Sequence, residues 1–245
     1  MACFSALMTA QAFDEVLALV DRSPLTWWHY RRWGFRALLA QGKRAEALRY
    51  AEASRDAKRY DQISIAKACE AVLLESGMHE EAYNRYAIAA SAPAPTYLAR
   101  FRELAKTYPW KPPAAILRDL IATTPGKEGK WFAAVKSAGL YDEAIELAGA
   151  TPCDPKTLSR AARDFKTRRP AFARDAALLA LRWFSEGYGY EITSADVVEA
   201  YRHGLAAAER LNQVDQFTAQ AAATANGNVF VRDAVRSALA RDDRA

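Results

Sequence analysis

Three stretches of this chain share one short pattern: Gly42-Lys43-Arg44-Ala45-Glu46-Ala47-Leu48, Gly77-Met78-His79-Glu80-Glu81-Ala82-Tyr83 and Gly139-Leu140-Tyr141-Asp142-Glu143-Ala144-Ile145. In each, a glycine is followed by Glu in the fourth place after it, then Ala, then a large apolar residue. A glycine with positive φ ends a helix without a Cβ penalty. A carboxylate in the first turn of the next helix suits that helix's dipole, and the alanine leaves room for the preceding helix. The pattern therefore specifies a helix–turn–helix, used three times. Gln11 to Val16 and Asn212 to Phe217 read as weaker copies near the two ends, where terminal repeats of a stacked array are atypical.

The rest of the chain is punctuated in the same helical language. Ser23-Pro24, Asp154-Pro155, Pro112-Pro113 and Pro170 each place a cap or a first-turn proline ahead of an apolar-periodic run. Thr193 followed by Asp196 is a relative of the capping box, and Asn226-Gly227-Asn228 separates the last two helices. Alanine dominates the apolar residues while β-branched residues are sparse, which favours helix and close helix–helix approach. No run alternates apolar and polar residues with β-branched enrichment. The expected fold class is all-α. Connections are short except around Ser91 to Pro95 and Thr123 to Gly129, so neighbouring helices are expected to run antiparallel.

The three glycine-to-alanine segments resemble the tetratricopeptide family, and the spacing of Gly42 and Gly77 is close to that family's period of about 34 residues. The resemblance implies antiparallel helical hairpins stacked in a right-handed α-solenoid. It covers roughly half the chain, and the irregular interval before Gly139 implies irregularity in the middle. The proline-rich stretch Pro109 to Pro113 divides an N-terminal set of repeats, 1–108, from a C-terminal set, 109–245, read as one continuous solenoid. The stretch from Gly77 through Phe165 is also faintly similar to the helical-repeat regions that accompany SWIM zinc fingers in bacterial proteins, but it contains no Cys-x-Cys or Cys-x-His zinc pattern.

The chemistry-bearing residues are scattered. The three cysteines, Cys3, Cys69 and Cys153, form no Cys-x-x-Cys pair and read as reduced thiols. His29, His79 and His203 are isolated, and no metal or catalytic motif is present, so neither a cofactor nor enzymatic activity is expected. Thr123 to Lys130 superficially resembles a phosphate loop but lacks its glycine spacing and its Ser/Thr, and reads as a connector. Gly187-Tyr188-Gly189-Tyr190 reads as a loop held down by its tyrosines. The N-terminus has no basic leader and no stretch reaches the roughly 20 apolar residues of a membrane span, so a cytoplasmic protein is expected.

The most distinctive segment is Trp27 to Arg36. On a helical wheel Trp27, Tyr30, Gly34, Ala37 and Leu38 share one face, expected to be core, while His29, Arg32, Arg36 and Lys43 lie nearly opposite. In tetratricopeptide proteins the first helix of each pair lines the concave groove. With Gly42 as the turn glycine, the resemblance places His29, Arg32 and Arg36 in that groove, joined by Lys67 and Lys136 from later repeats. Guanidinium forks bind carboxylates bidentately, so a basic groove suits an acidic peptide or protein partner. The family's carboxylate clamp is similar, although its asparagines are missing here. The net charge of +5 permits such a partner without demanding one. Arginines interleaved with aromatics, together with Lys166, Arg168 and Arg169, also fit nucleic acid as the alternative partner.

Overall fold

The computed structural model describes residues 2–24, 27–54 and 59–242. All regular structure among them is helical. The chain divides into two compact units, Met1–Thr96 with Arg102–Lys111, and Tyr97–Phe101 with Pro112–Ala245. No helix among the described residues is long and apolar enough to cross a membrane.

The first unit contains α1 (Ala2–Thr9), α2 (Phe13–Arg22), α3 (Trp28–Ala40), α4 (Arg44–Ala53), α5 (Arg59–Glu75) and α6 (His79–Ala82). The last of these runs through a π turn, Tyr83–Ala87, into α7 (Ile88–Ala90). Helix α8 (Tyr97–Thr107) contributes residues to both units. The second unit continues with α9 (Pro113–Ile121), a 3-10 turn (Glu128–Trp131) leading into α10 (Phe132–Ser137), then α11 (Tyr141–Ala150), α12 (Pro155–Phe165) and α13 (Pro170–Ser185). It ends with α14 (Ser194–Glu209), α15 (Val214–Ala225) and α16 (Val229–Asp242).

The pattern glycines sit where the sequence places them. Gly42, Gly77 and Gly139 have φ of 76°, 73° and 81°, between α3 and α4, α5 and α6, and α10 and α11. Each closes its helix with the same pair of bonds. The Gly42 N–H donates to the Leu39 carbonyl and the Lys43 N–H to the Leu38 carbonyl, both at 2.9 Å, which is the Schellman arrangement. The weaker copies repeat it without glycine: Gln11 and Asn212 take φ of 57° and 55°, and the N–H groups of Ala12 and Gln213 reach back to Leu7 and Ala208. The residue in the fifth place after each turn position is fully buried, whether Val16, Ala47, Ala82, Ala144 or Phe217. That position touches the preceding helix, so its side-chain size sets how closely the two helices approach.

Side-chain caps fix the second unit. The Asp154 carboxylate accepts from the Thr157 N–H at 3.0 Å, and Thr193 with Asp196 forms a complete capping box. Asn228 Oδ1 accepts from the N–H groups of Phe230 and Val231. Ser23 does not cap α3: it closes α2, its N–H donating to the Val20 carbonyl, and α3 begins at Trp28. Helices α12, α13 and α14 pack on one another through Leu158, Ala161, Ala173, Ala177, Ala200 and Ala207, all fully buried. A Cβ on Gly204 would lie 2.3 Å from the Phe217 ring and 2.7 Å from Ala177 Cβ, so only glycine permits this crossing. The connector from Thr123 to Lys130 is tied down, Gly129 N–H donating to Thr151 Oγ1 at 2.6 Å and Trp131 Nε1 to Thr124 Oγ1 at 2.8 Å.

Candidate partner-binding surface

Helix α3 carries three arginines and no acidic residue. Its buried residues are Trp28, Gly34, Phe35, Ala37 and Leu38, with Trp28 and Phe35 in ring contact at 5.5 Å. Trp27, assigned to the core by the helical wheel, is 48% exposed. The physical reason is local. Trp27 is the extended residue ahead of the first turn (φ −65°, ψ 140°), so helical phase does not yet apply to it. Tyr30 is half-buried and meets His29 edge-on at 5.6 Å.

His29, Arg32, Trp33 and Arg36 follow one another at helical spacing and form a stripe whose tryptophan packs against the core cluster of Phe4, Val16, Val20 and Ala37. His29 and Arg36 are exposed, and Arg32 and Trp33 are half-buried. The Trp33 indole stacks on Phe4 of α1, centroids 5.7 Å apart and planes 11° from parallel. The Arg32 and Arg36 guanidiniums lie 5.8 and 5.4 Å from the same indole. A cation against an indole face gains about 0.5–1 kcal/mol at a partly exposed site, and the contact narrows the arginine's rotamers before any partner arrives. Arg32 Nε and Trp33 Nε1 are buried nitrogens that no acceptor among the described residues reaches. No described carboxylate pairs with Arg32 or Arg36. Arg31 turns away and lies over the Tyr50 ring at 5.5 Å, and the bare backbone of Gly34 admits that tyrosine.

The remaining expected anchors lie elsewhere. Lys67 is exposed on α5. Its neighbour Glu70 has its carboxyl pushed up by burial, against the hydrogen bond from Tyr108 Oη and the charge of Lys67. Lys136 is on α10, in the second unit, half-buried with its ammonium 5.9 Å from the Phe132 ring and 5.8 Å from that of Phe165. Burial lowers its pKa from the ordinary 10.5, with the charge of Asp164 opposing. The structure thus gathers His29, Arg32 and Arg36 on one helix face, with Lys67 on a different helix. Trp33, on which the stripe rests, was missed by the wheel reading, although its place three residues before Arg36 was visible.

Each unit also holds a concavity. The second unit holds a cleft of about 440 Å³ lined by Tyr97, Phe132, Pro152, Cys153, Asp154 and Tyr188. Two of its titratable groups are already committed: burial pushes the Cys153 thiol up to about 12, far from a thiolate at neutral pH, and Asp154 caps α12. Beside it Tyr188 lies edge-on to Trp183 at 5.2 Å, whereas Tyr190 is 80% exposed, contrary to the expectation that both tyrosines hold the loop down. The first unit holds a groove of about 450 Å³ between α4 and α6, closed at its base by α5. Among the described residues no three His, Cys, Asp or Glu side chains gather as metal ligands. No protein-family model matches the chain, and neither does any curated protein or solved structure.

Proposed function

We propose that the chain is a non-catalytic helical-repeat module of tetratricopeptide-like build. It binds an acidic segment of a partner protein on the His29–Arg32–Trp33–Arg36 stripe. The observation that carries this reading is a pair of guanidiniums held against one indole with no carboxylate partner among the described residues. A partner carboxylate would meet the guanidinium forks of Arg32 and Arg36, and charge-assisted bonds of this kind are the stronger class. Lys67 adds positive charge from α5. A cytoplasmic setting is part of the same proposal.

Fluorescence anisotropy with labelled glutamate-rich peptides tests it. Arg32→Ala/Arg36→Ala is expected to weaken binding at least about tenfold, equivalent to about 1.4 kcal/mol. Unchanged affinity removes the assigned role. A nucleic-acid partner is the competing reading, favoured by the arginine–tryptophan combination. It requires affinity for single-stranded RNA or DNA that falls steeply with salt.

A further inference from the structure

The groove between α4 and α6 uses none of the residues of the α3 stripe. Its floor is apolar: Val72 and Leu73 of α5 are 5% and 1% exposed, and Leu48 of α4 is half-buried beside them. Met78, the residue after the second pattern glycine, stands at the rim with 45% exposure. A thioether on an unbranched stem adapts to differently shaped guests. The volume of about 450 Å³ is on the scale of a ligand pocket.

The charges around this floor are not balanced. Glu52 and Glu81 are both engaged by Arg85, which pairs with Glu52 at 2.6 Å and with Glu81 across one helical turn. Tyr86 Oη also donates to Glu52 at 2.6 Å. These bonds hold the Arg85 guanidinium firmly protonated, and burial together with the Glu52 hydrogen bond keeps the Tyr86 phenol protonated. Arg44 and Arg49 line the same groove, and neither has an ion-pair or hydrogen-bond partner among the described residues. Arg85 offsets one of the two acidic charges, so with Arg44 and Arg49 the lining carries three guanidiniums against two carboxylates, a net charge of +1, and the two guanidiniums left uncommitted both stand on the α4 side of an apolar floor.

We infer that this groove is a docking site for a short segment of a partner protein in which one apolar side chain is flanked by carboxylates. The apolar side chain covers Leu48, Val72 and Leu73, and the flanking carboxylates meet Arg44 and Arg49. Nucleic acid fits less well, because stacking of bases needs aromatic faces and this floor is aliphatic. The inference stands on different residues from the α3 stripe, so each can fail without the other.

The test is an array of immobilised peptides with Leu, Ile, Met or Phe at the centre and Asp or Glu on both sides, probed with the full chain. Controls carry Ser at the centre or Lys at the flanks. Acidic peptides with an apolar centre are expected to bind above both controls. Measured in the Arg32→Ala/Arg36→Ala background, where the α3 stripe no longer contributes, Arg44→Glu/Arg49→Glu and, separately, Leu48→Ser should each reduce that signal at least about tenfold. Circular dichroism checks that each variant is folded, and the surface arginine variant decides the matter where Leu48→Ser is not. Four results in that background would overturn the inference: Ser-centred acidic peptides binding equally well, a signal unchanged by Arg44→Glu/Arg49→Glu, displacement of bound peptide by single-stranded RNA, or no peptide above the controls.

Discussion

Helix α3 and the α12–α14 bundle are built from the same residue types and put them to opposite uses. In the bundle, alanines and Gly204 draw the helices together. The caps at Asp154 and Thr193 satisfy the first turns of α12 and α14, and Trp183 Nε1 finds the Ala148 carbonyl at 2.8 Å. The α3 region leaves its N-terminus without a side-chain cap, exposes Trp27, and holds Arg32 Nε and Trp33 Nε1 with no acceptor. A buried donor without an acceptor costs stability. The bundle also holds a buried hydroxyl with no hydrogen-bond partner among the described residues, Ser185 Oγ, so the contrast lies in capping and in exposed aromatic and basic side chains rather than in complete polar satisfaction.

Substitutions sharpen that contrast. The largest effect is expected in the bundle: Leu158→Ala removes a fully buried side chain between packed helices and should cost about 3 kcal/mol, read as a lower midpoint in urea unfolding. Thr193→Ala breaks one half of the capping box at the start of α14 and should cost about 1 kcal/mol in the same measurement. A smaller gain is expected at Lys136. Its ammonium is penalised by burial, so its pKa is depressed in the folded chain. That penalty is full below the folded pKa and vanishes above the ordinary 10.5, where the amine is neutral in both states. Lys136→Met should therefore raise Tm by about 1–2 °C at pH 7, and scanning calorimetry at pH 11 should show the gain gone. The smallest effect on stability belongs to α3: in Arg32→Ala/Arg36→Ala the lost indole contacts are partly offset by removal of the buried Arg32 Nε, which finds no described acceptor, so the unfolding free energy should shift by less than about 1 kcal/mol while peptide affinity is lost. A large destabilisation there would make the arginines part of the core instead.

Much of the local architecture was readable before any coordinates. Glycine at a helix end, a Pro after Asp154 and a Thr three residues before Asp196 are signals confined to a few neighbouring residues, and each produces its turn or cap through those residues alone. Even the degenerate turns at Gln11 and Asn212 keep the backbone of the glycine versions, because the surrounding helices over-determine it. What escaped depends on phase or on distant partners. The wheel misplaced Trp27 because the helix starts one residue later. The π turn at Tyr83–Ala87 shifts which residues of that helix are buried, and nothing in the motif announces it. Which guanidiniums of the α4–α6 groove are left uncommitted depends on Arg85 taking up Glu52 from another helix, a pairing that sequence spacing does not reveal.

The central claim places the partner beside Arg32 and Trp33, and proton–nitrogen NMR observes their side-chain N–H groups directly. Titration of the labelled chain with a glutamate-rich peptide should shift the Arg32 Nε–H and Trp33 Nε1–H resonances together, saturating with the same Kd as the anisotropy signal. Resonances that stay fixed while others move would place the partner elsewhere and contradict the role given to α3.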